Sequence, residues 1–167
     1  NIPDEYISTI EKYKNKNLEI TKKIKFDNKV LHRSKILKYF LYDDYGKERV
    51  EKDLKNVYKK IKKNKKYFIS IKDITVLDAL INDGINVPND IEFENLKSKL
   101  NVPEGLFELA EQNQTGLAIL KIVEIIGEDE VNNLDPETIY FLNKIMNKLK
   151  LNRIRNEILV ATMPLKV

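Results

Sequence analysis

His32 is the only histidine in the 167 residues. It is thus the one side chain whose ordinary pKa suits proton transfer near neutrality. Ser34 follows two positions on, yet nothing in the spacing arranges it as a nucleophile for that base. The chain holds no Gly-x-Ser-x-Gly elbow, no phosphate-cradling glycine loop and no paired-glycine nucleotide fingerprint. It holds no cysteine, which removes disulfides, thiolate catalysis and cysteine-ligated zinc together. The densest acids, Glu128-Asp129-Glu130, lack the alternating Asp/Asn ligands and central glycine of an EF-hand loop. A carboxylate pair that assembles only in space is the catalytic arrangement sequence leaves open, which makes a small hydrolase the weakest of three readings. The expectation is no catalytic residue, no metal and no cofactor.

The remaining chemistry is charge. Residues 47–66 carry ten Lys/Arg against three Asp/Glu, although the whole chain has a net charge of only +4. Lys59, Lys62, Lys63 and Lys66 fall opposite the Val50/Leu54/Val57/Ile61 stripe on a helical wheel, so they form a candidate phosphate-facing ridge within the lysine face 55–66. The plainer reading is a solvated face near a helix C-terminus, where lysine suits the dipole. Abundant Lys, Ile and Asn also reflect AT-rich coding. Residues 104–137 are the opposite, with nine Asp/Glu and Lys121 as their one base. Residues 138–167 return to positive, with six Lys/Arg against Glu157. Only four of the 30 Lys/Arg residues are arginine, and Arg153 and Arg155 are two of them. Arginine amid so much lysine implies a fork-shaped pairing with a carboxylate or stacking on a ring. Both are candidate partner-binding residues; the plainer role is a structural bridge to the loop 128–137.

These groups need helices to hold them. A short amphipathic helix is expected over 3–16, with Tyr6, Ile7, Ile10 and Tyr13 on one side, followed by an ambiguous stretch over 17–26. Asp27 is expected to cap a helix over 28–42, and residues 47–64 give the cleanest amphipathic pattern. Ser70 and Asp73 form a capping box at the head of a helix over 71–82, stopped by Gly84. Shorter helices follow over 91–99 and from Pro103. Asp135-Pro136-Glu137 opens a helix over 136–149, and a last one runs about 152–163 to Pro164. The apolar run 117–126, LAILKIVEII, lies between Thr115 as N-cap and Gly127 as stop. A helix this apolar is expected to be covered on several sides and to form the centre of the fold.

Helix starts near 71, 103 and 136 recur at the length of stacked helix hairpins. The fold class expected is all-α: stacked antiparallel hairpins in a short α-solenoid-like array, or an irregular helical bundle. It reads as one helical domain over 1–167, with N-terminal helices in 1–46, middle hairpins in 47–100 and C-terminal hairpins in 101–167. The stretch GEDEVNNLDPETIYFLNKIMNKLKLNRIRN, residues 127–156, resembles uncharacterised bacterial helical-repeat proteins. More loosely, the hairpins resemble tetratricopeptide-type α-solenoids, although 136–163 do not reproduce that pattern's small and aromatic positions. The resemblance implies a scaffold-like fold and transfers no catalytic residue.

The function expected is a non-catalytic protein-interaction or scaffold module, part of a longer bacterial protein, with a protein or peptide partner lying along paired helices. The alternative is an electrostatic binder of nucleic acid or anionic lipid through the lysine face. The chain begins at Asn1 and shows no signal-like or transmembrane segment, so it reads as soluble, with cytoplasmic and exported locations both open.

Overall fold

The computed structural model describes residues 24–88 and 96–163. The stretches expected over 3–16, 17–23 and most of 91–99 lie outside them. The described residues form an all-α structure with no β-strand. Seven α-helices run in order: α1 Lys38–Leu41, α2 Lys47–Lys63, α3 Ile71–Asn82, α4 Glu104–Glu111, α5 Thr115–Ile126, α6 Pro136–Lys148 and α7 Asn152–Thr162. Three 3-10 turns accompany them, at Leu31–Arg33, Lys35–Leu37 and Val131–Asn133.

The expected helix over 28–42 is broken. Ser34 sits in extended backbone (φ −81°, ψ 171°), and its Oγ donates to the Leu31 carbonyl at 2.7 Å. A short side chain that satisfies the backbone locally competes with helix propagation, so two 3-10 turns and one helical turn replace the single helix. The later starts follow their signals. The Ser70/Asp73 capping box is complete in both directions. Asp135 accepts from the Glu137 and Thr138 amides ahead of Pro136.

Helices α3, α4 and α6 end in one shared turn. The amides of Ile85, Gln114 and Leu151 each donate at 2.9 Å to the carbonyl five residues back, those of Leu80, Leu109 and Met146. This is the Schellman closure, which needs a left-handed residue just past the helix. Gly84 supplies it at φ 76°, but Asn113 (φ 56°) and Lys150 (φ 59°) adopt it despite a Cβ.

The centre of the fold is α3, not α5. Every residue from Asp73 to Leu80 is buried, so α3 has no outward side along those two turns. Its main neighbour is α6, which buries Ile139, Tyr140, Phe141, Leu142, Ile145 and Met146. Helix α7 packs on α6 and reaches α1, while Val50, Leu54, Val57 and Ile61 turn one face of α2 inward. The first and third hairpins thus touch directly, whereas a solenoid joins only consecutive repeats. The described residues pack as an all-α bundle or array in which α3, α4 and α6 begin at Ile71, Glu104 and Pro136.

Helix α5 corrects the expectation of a buried centre. It packs on α4 and buries only Ala118 and Ile122. Leu117, Leu120 and Val123 stand 52 %, 68 % and 60 % exposed. Apolar composition sets what a helix is able to bury, but among the described residues α4 is the main neighbour of this one.

Candidate interaction surfaces

Three aspartates on α3 and its cap hold buried polar groups in place: Asp73 and Asp78 are themselves buried, and Asp83 is half-buried. Asp73 is 1 % exposed and accepts four hydrogen bonds: from the His32 amide (2.9 Å), His32 Nδ1 (2.7 Å), the Tyr67 hydroxyl (2.9 Å) and the Ser70 amide (2.9 Å). The Tyr67 oxygen in turn accepts from the Leu31 amide at 2.9 Å. One carboxylate thereby clamps the turn Leu31–Arg33 to the head of α3. Ser70 Oγ lies 3.3 Å from the same His32 nitrogen that meets Asp73. A nucleophile relay needs the acid and the hydroxyl on opposite ring nitrogens, so these residues build a helix start and not a triad.

Burial pushes the Asp73 carboxyl up, but the bonds from His32 and the Ser70 amide outweigh it and hold its pKa below the ordinary value. Asp53 follows the same pattern: burial raises it, and Lys35 and Tyr45 lower it further than burial raises it. Burial and Asp53 push the Tyr45 phenol up to about 12. A depressed carboxylate contributes stability in full above its unfolded pKa and loses it as pH falls through the folded one. Thermal melts should therefore be level from neutrality down to about pH 4 and fall steeply below it. A melting temperature at pH 3 equal to that at pH 7 would contradict this assignment.

Asp78 joins α3 to α6. It accepts from Asn143 Nδ2 at 3.0 Å and Asn147 Nδ2 at 3.4 Å, and it meets Lys144 and Lys97 at 3.4 and 3.3 Å. An open cavity of about 400 Å³ lies beside it, with Phe107 and Lys148 on its far wall. Its cations are already engaged with Asp78 or, for Lys148, with Glu111 at 3.0 Å. Among the described residues no three His, Asp or Glu side chains converge to hold a metal.

Asp83 receives Arg155. The guanidinium is 1 % exposed and forks onto the carboxylate at 2.9 and 2.6 Å. Its nitrogens also donate to Asn147 Oδ1 (2.8 Å) and Asn156 Oδ1 (3.0 and 2.7 Å), and it lies 5.9 Å from the Phe40 ring. The fork expected from arginine is present, but it is internal. A side chain this buried does not meet a partner at the surface, and its acid is Asp83 instead of the loop 128–137. Arg153 is 93 % exposed along its side chain and pairs with Glu157 at 3.3 Å. It lies on the surface and makes an ordinary i,i+4 helix pair.

Lys59, Lys62, Lys63 and Lys66 all project into solvent from the end of α2 and the turn after it. No acidic side chain among the described residues pairs with Lys59, Lys63 or Lys66. Lys62 lies 6.0 Å over the Tyr58 ring. The chain then passes through 67–70 without regular structure, with Tyr67 and Ile69 half-buried and Phe68 facing outward at 87 % exposure. In the sequence Phe68 counts with Tyr58 and Tyr67 as the aromatics beside the lysine run, too few for a stacking ladder. Tyr67-Phe68-Ile69 is apolar throughout, so nothing in the sequence tells which of the three faces outward.

The second surface is the outer side of the α4–α5 hairpin. Gly116, Leu120, Val123 and Gly127 follow one another along α5 at helical spacing, with Leu117 beside them, all exposed. Glu104, Glu108, Glu124, Glu128, Asp129 and Glu130 are exposed around this hairpin. Lys121 answers Glu124 at 2.8 Å, which leaves the rim strongly acidic. No helix among the described residues is long and apolar enough to cross a membrane. Comparison with protein-family models, with curated proteins and with solved structures finds no match to this chain.

Proposed function

We propose that this protein is a non-catalytic interaction module whose α4–α5 hairpin binds a helical segment of a partner protein. The observation that carries the reading is the outward row Leu117, Leu120 and Val123, each more than half exposed. A contiguous apolar row rimmed by charge is the usual mark of an interaction site. The rim selects the occupant: exposed acids favour a helix with an apolar stripe and basic flanks, and they disfavour an acidic one. Gly116 and Gly127 add no side chain to the row, which leaves room for a backbone to approach. The internal use of His32 and Asp73 supports a role without chemistry. A scaffold setting in a longer bacterial protein is part of the same proposal.

The test uses two synthetic helical peptides with one leucine stripe, flanked by lysine in the first and glutamate in the second. The lysine-flanked peptide should bind saturably and the other should not. Leu120→Glu, at an exposed position, should weaken binding at least about thirty-fold, the loss of one central anchor worth about 2 kcal/mol. Equal binding of both peptides, or indifference to Leu120→Glu, would reject the proposal. A homodimer dispersed by Leu120→Glu would also reject it, by placing a second copy on this face.

A further inference from the structure

We infer that the C-terminal end of α2, with the segment after it, docks on an anionic lipid bilayer and that Phe68 is the side chain that enters it. This surface is separate from the α4–α5 hairpin. Three observations meet there. Residues 59–66 contain six lysines and no acid. Phe68, two positions later, is the most exposed large apolar side chain among the described residues. Beside it opens a cavity of about 230 Å³ with Leu31, Ile61, Tyr58 and Tyr67 in its walls and Lys62 and Lys65 on its rim.

Each part has a task at a bilayer. Lysines near the surface attract acidic headgroups, and their long stems let the charge sit at headgroup level while the backbone lies above it. Polybasic attraction alone is weak and reversible, so a second, apolar contribution is needed for useful affinity. Phe68 supplies it, because the alternation of residues 67–69 fixes Tyr67 and Ile69 inward and leaves the phenyl ring pointing away from the core. The apolar floor of the cavity offers a place for the upper part of an acyl chain between Lys62 and Lys65.

Nucleic acid is the competing polyanion. Single-strand binding rests on successive aromatic platforms and favours arginine. Residues 55–66 contain no arginine, and Tyr58 and Tyr67 are half-buried beside the ring that is free. One outward phenyl among lysines fits an interface anchor better than a stacking ladder.

The chain has no tryptophan, so a Phe68→Trp variant carries a single reporter. Its emission should shift to the blue and be quenched by brominated lipid when phosphatidylcholine vesicles contain about 30 % phosphatidylserine, and stay unchanged without it. In co-sedimentation of the full chain, Phe68→Ala should lower partitioning about tenfold. Lys63→Glu with Lys66→Glu should lower it at least about a hundredfold. Raising salt from about 0.1 to about 0.5 M should release the protein. All three positions are exposed, and circular dichroism checks that each variant folds. Leu120→Glu should leave vesicle binding intact, which separates this site from the peptide-binding face. Failure to bind acidic vesicles would overturn the inference, as would binding indifferent to Phe68→Ala. Tight, Lys63-dependent binding of a single-stranded oligonucleotide without vesicle binding would assign the surface to nucleic acid instead.

Discussion

Arg155→Ala should cost about 3–5 kcal/mol, because it leaves the Asp83 carboxylate and two amide oxygens without their donor inside the protein. For a chain of this size that lowers the melting temperature by about 6–20 °C. The loss is mostly the penalty of an abandoned charge. The desolvation cost of bringing an ion pair inside offsets much of what it returns, so the intact pair has a smaller net value than the truncation suggests. A cycle with Asp83→Ala separates the two. The double variant should be less destabilised than the sum of the singles by at least about 2 kcal/mol. Arg155→Lys is the sharper probe: it keeps the charge but removes the planar fork, and should cost about 2 kcal/mol. Unchanged melting of that variant, or strict additivity in the cycle, would mean the fork contributes little.

Asp73→Ala should be comparably severe, at about 3 kcal/mol or more, with a fall in melting temperature of about 6–12 °C. It strands the His32 amide, the Ser70 amide and the Tyr67 hydroxyl, and it removes half of the capping box on α3. Asp73→Asn keeps the size and two acceptor sites but forces an NH₂ group toward donors, so it should recover little. Both variants should also flatten the acid limb of the stability profile, since each deletes a depressed carboxylate. A steep loss below pH 4 that persists unchanged in Asp73→Asn would transfer that limb to other acids. Amide exchange should locate the damage at residues 31–33 and 70–74, the two ends of the clamp.

Local chemistry was readable in the sequence; distant pairing was not. The box at Ser70 and Asp73, the cap at Asp135 and the stripe of α2 are each decided within a few residues, so composition and spacing reveal them. Ser34 belongs to the same class, but its bond to the Leu31 carbonyl was hidden inside an apolar pattern that favoured one continuous helix. The left-handed turns at Asn113 and Lys150 carry no glycine, so only Gly84 announced the closure that all three helices share. The roles of α3 and α5 were exchanged for a clear reason. Hydropathy favours the run 117–126, whereas Asp73, Asp78 and Asp83 give α3 a polar appearance. Those acids are the means by which a buried helix binds its neighbours, and the partners His32, Asn143 and Arg155 lie 41, 65 and 72 residues away in the chain. Arg155 was legible as a fork in search of a carboxylate, but which acid answered it depended on tertiary approach. The lysine ridge and Phe68 beside it were visible in the sequence, and only the fold showed that Phe68 faces outward.

The distance between Asp83 and Arg155 also governs how this chain must assemble on the ribosome. The end of helix α3 is made well before the arginine that neutralises it, 72 residues later in the chain. At ordinary elongation rates of 5–20 residues per second, that interval lasts about 4–14 s. For most of it α3 is without α6, and Asp78 and Asp83 lack their partners on α6 and α7, whereas Asp73 already has His32, Tyr67 and Ser70. The core around α3 therefore closes late, which places its greatest exposure to aggregation before α6 is translated.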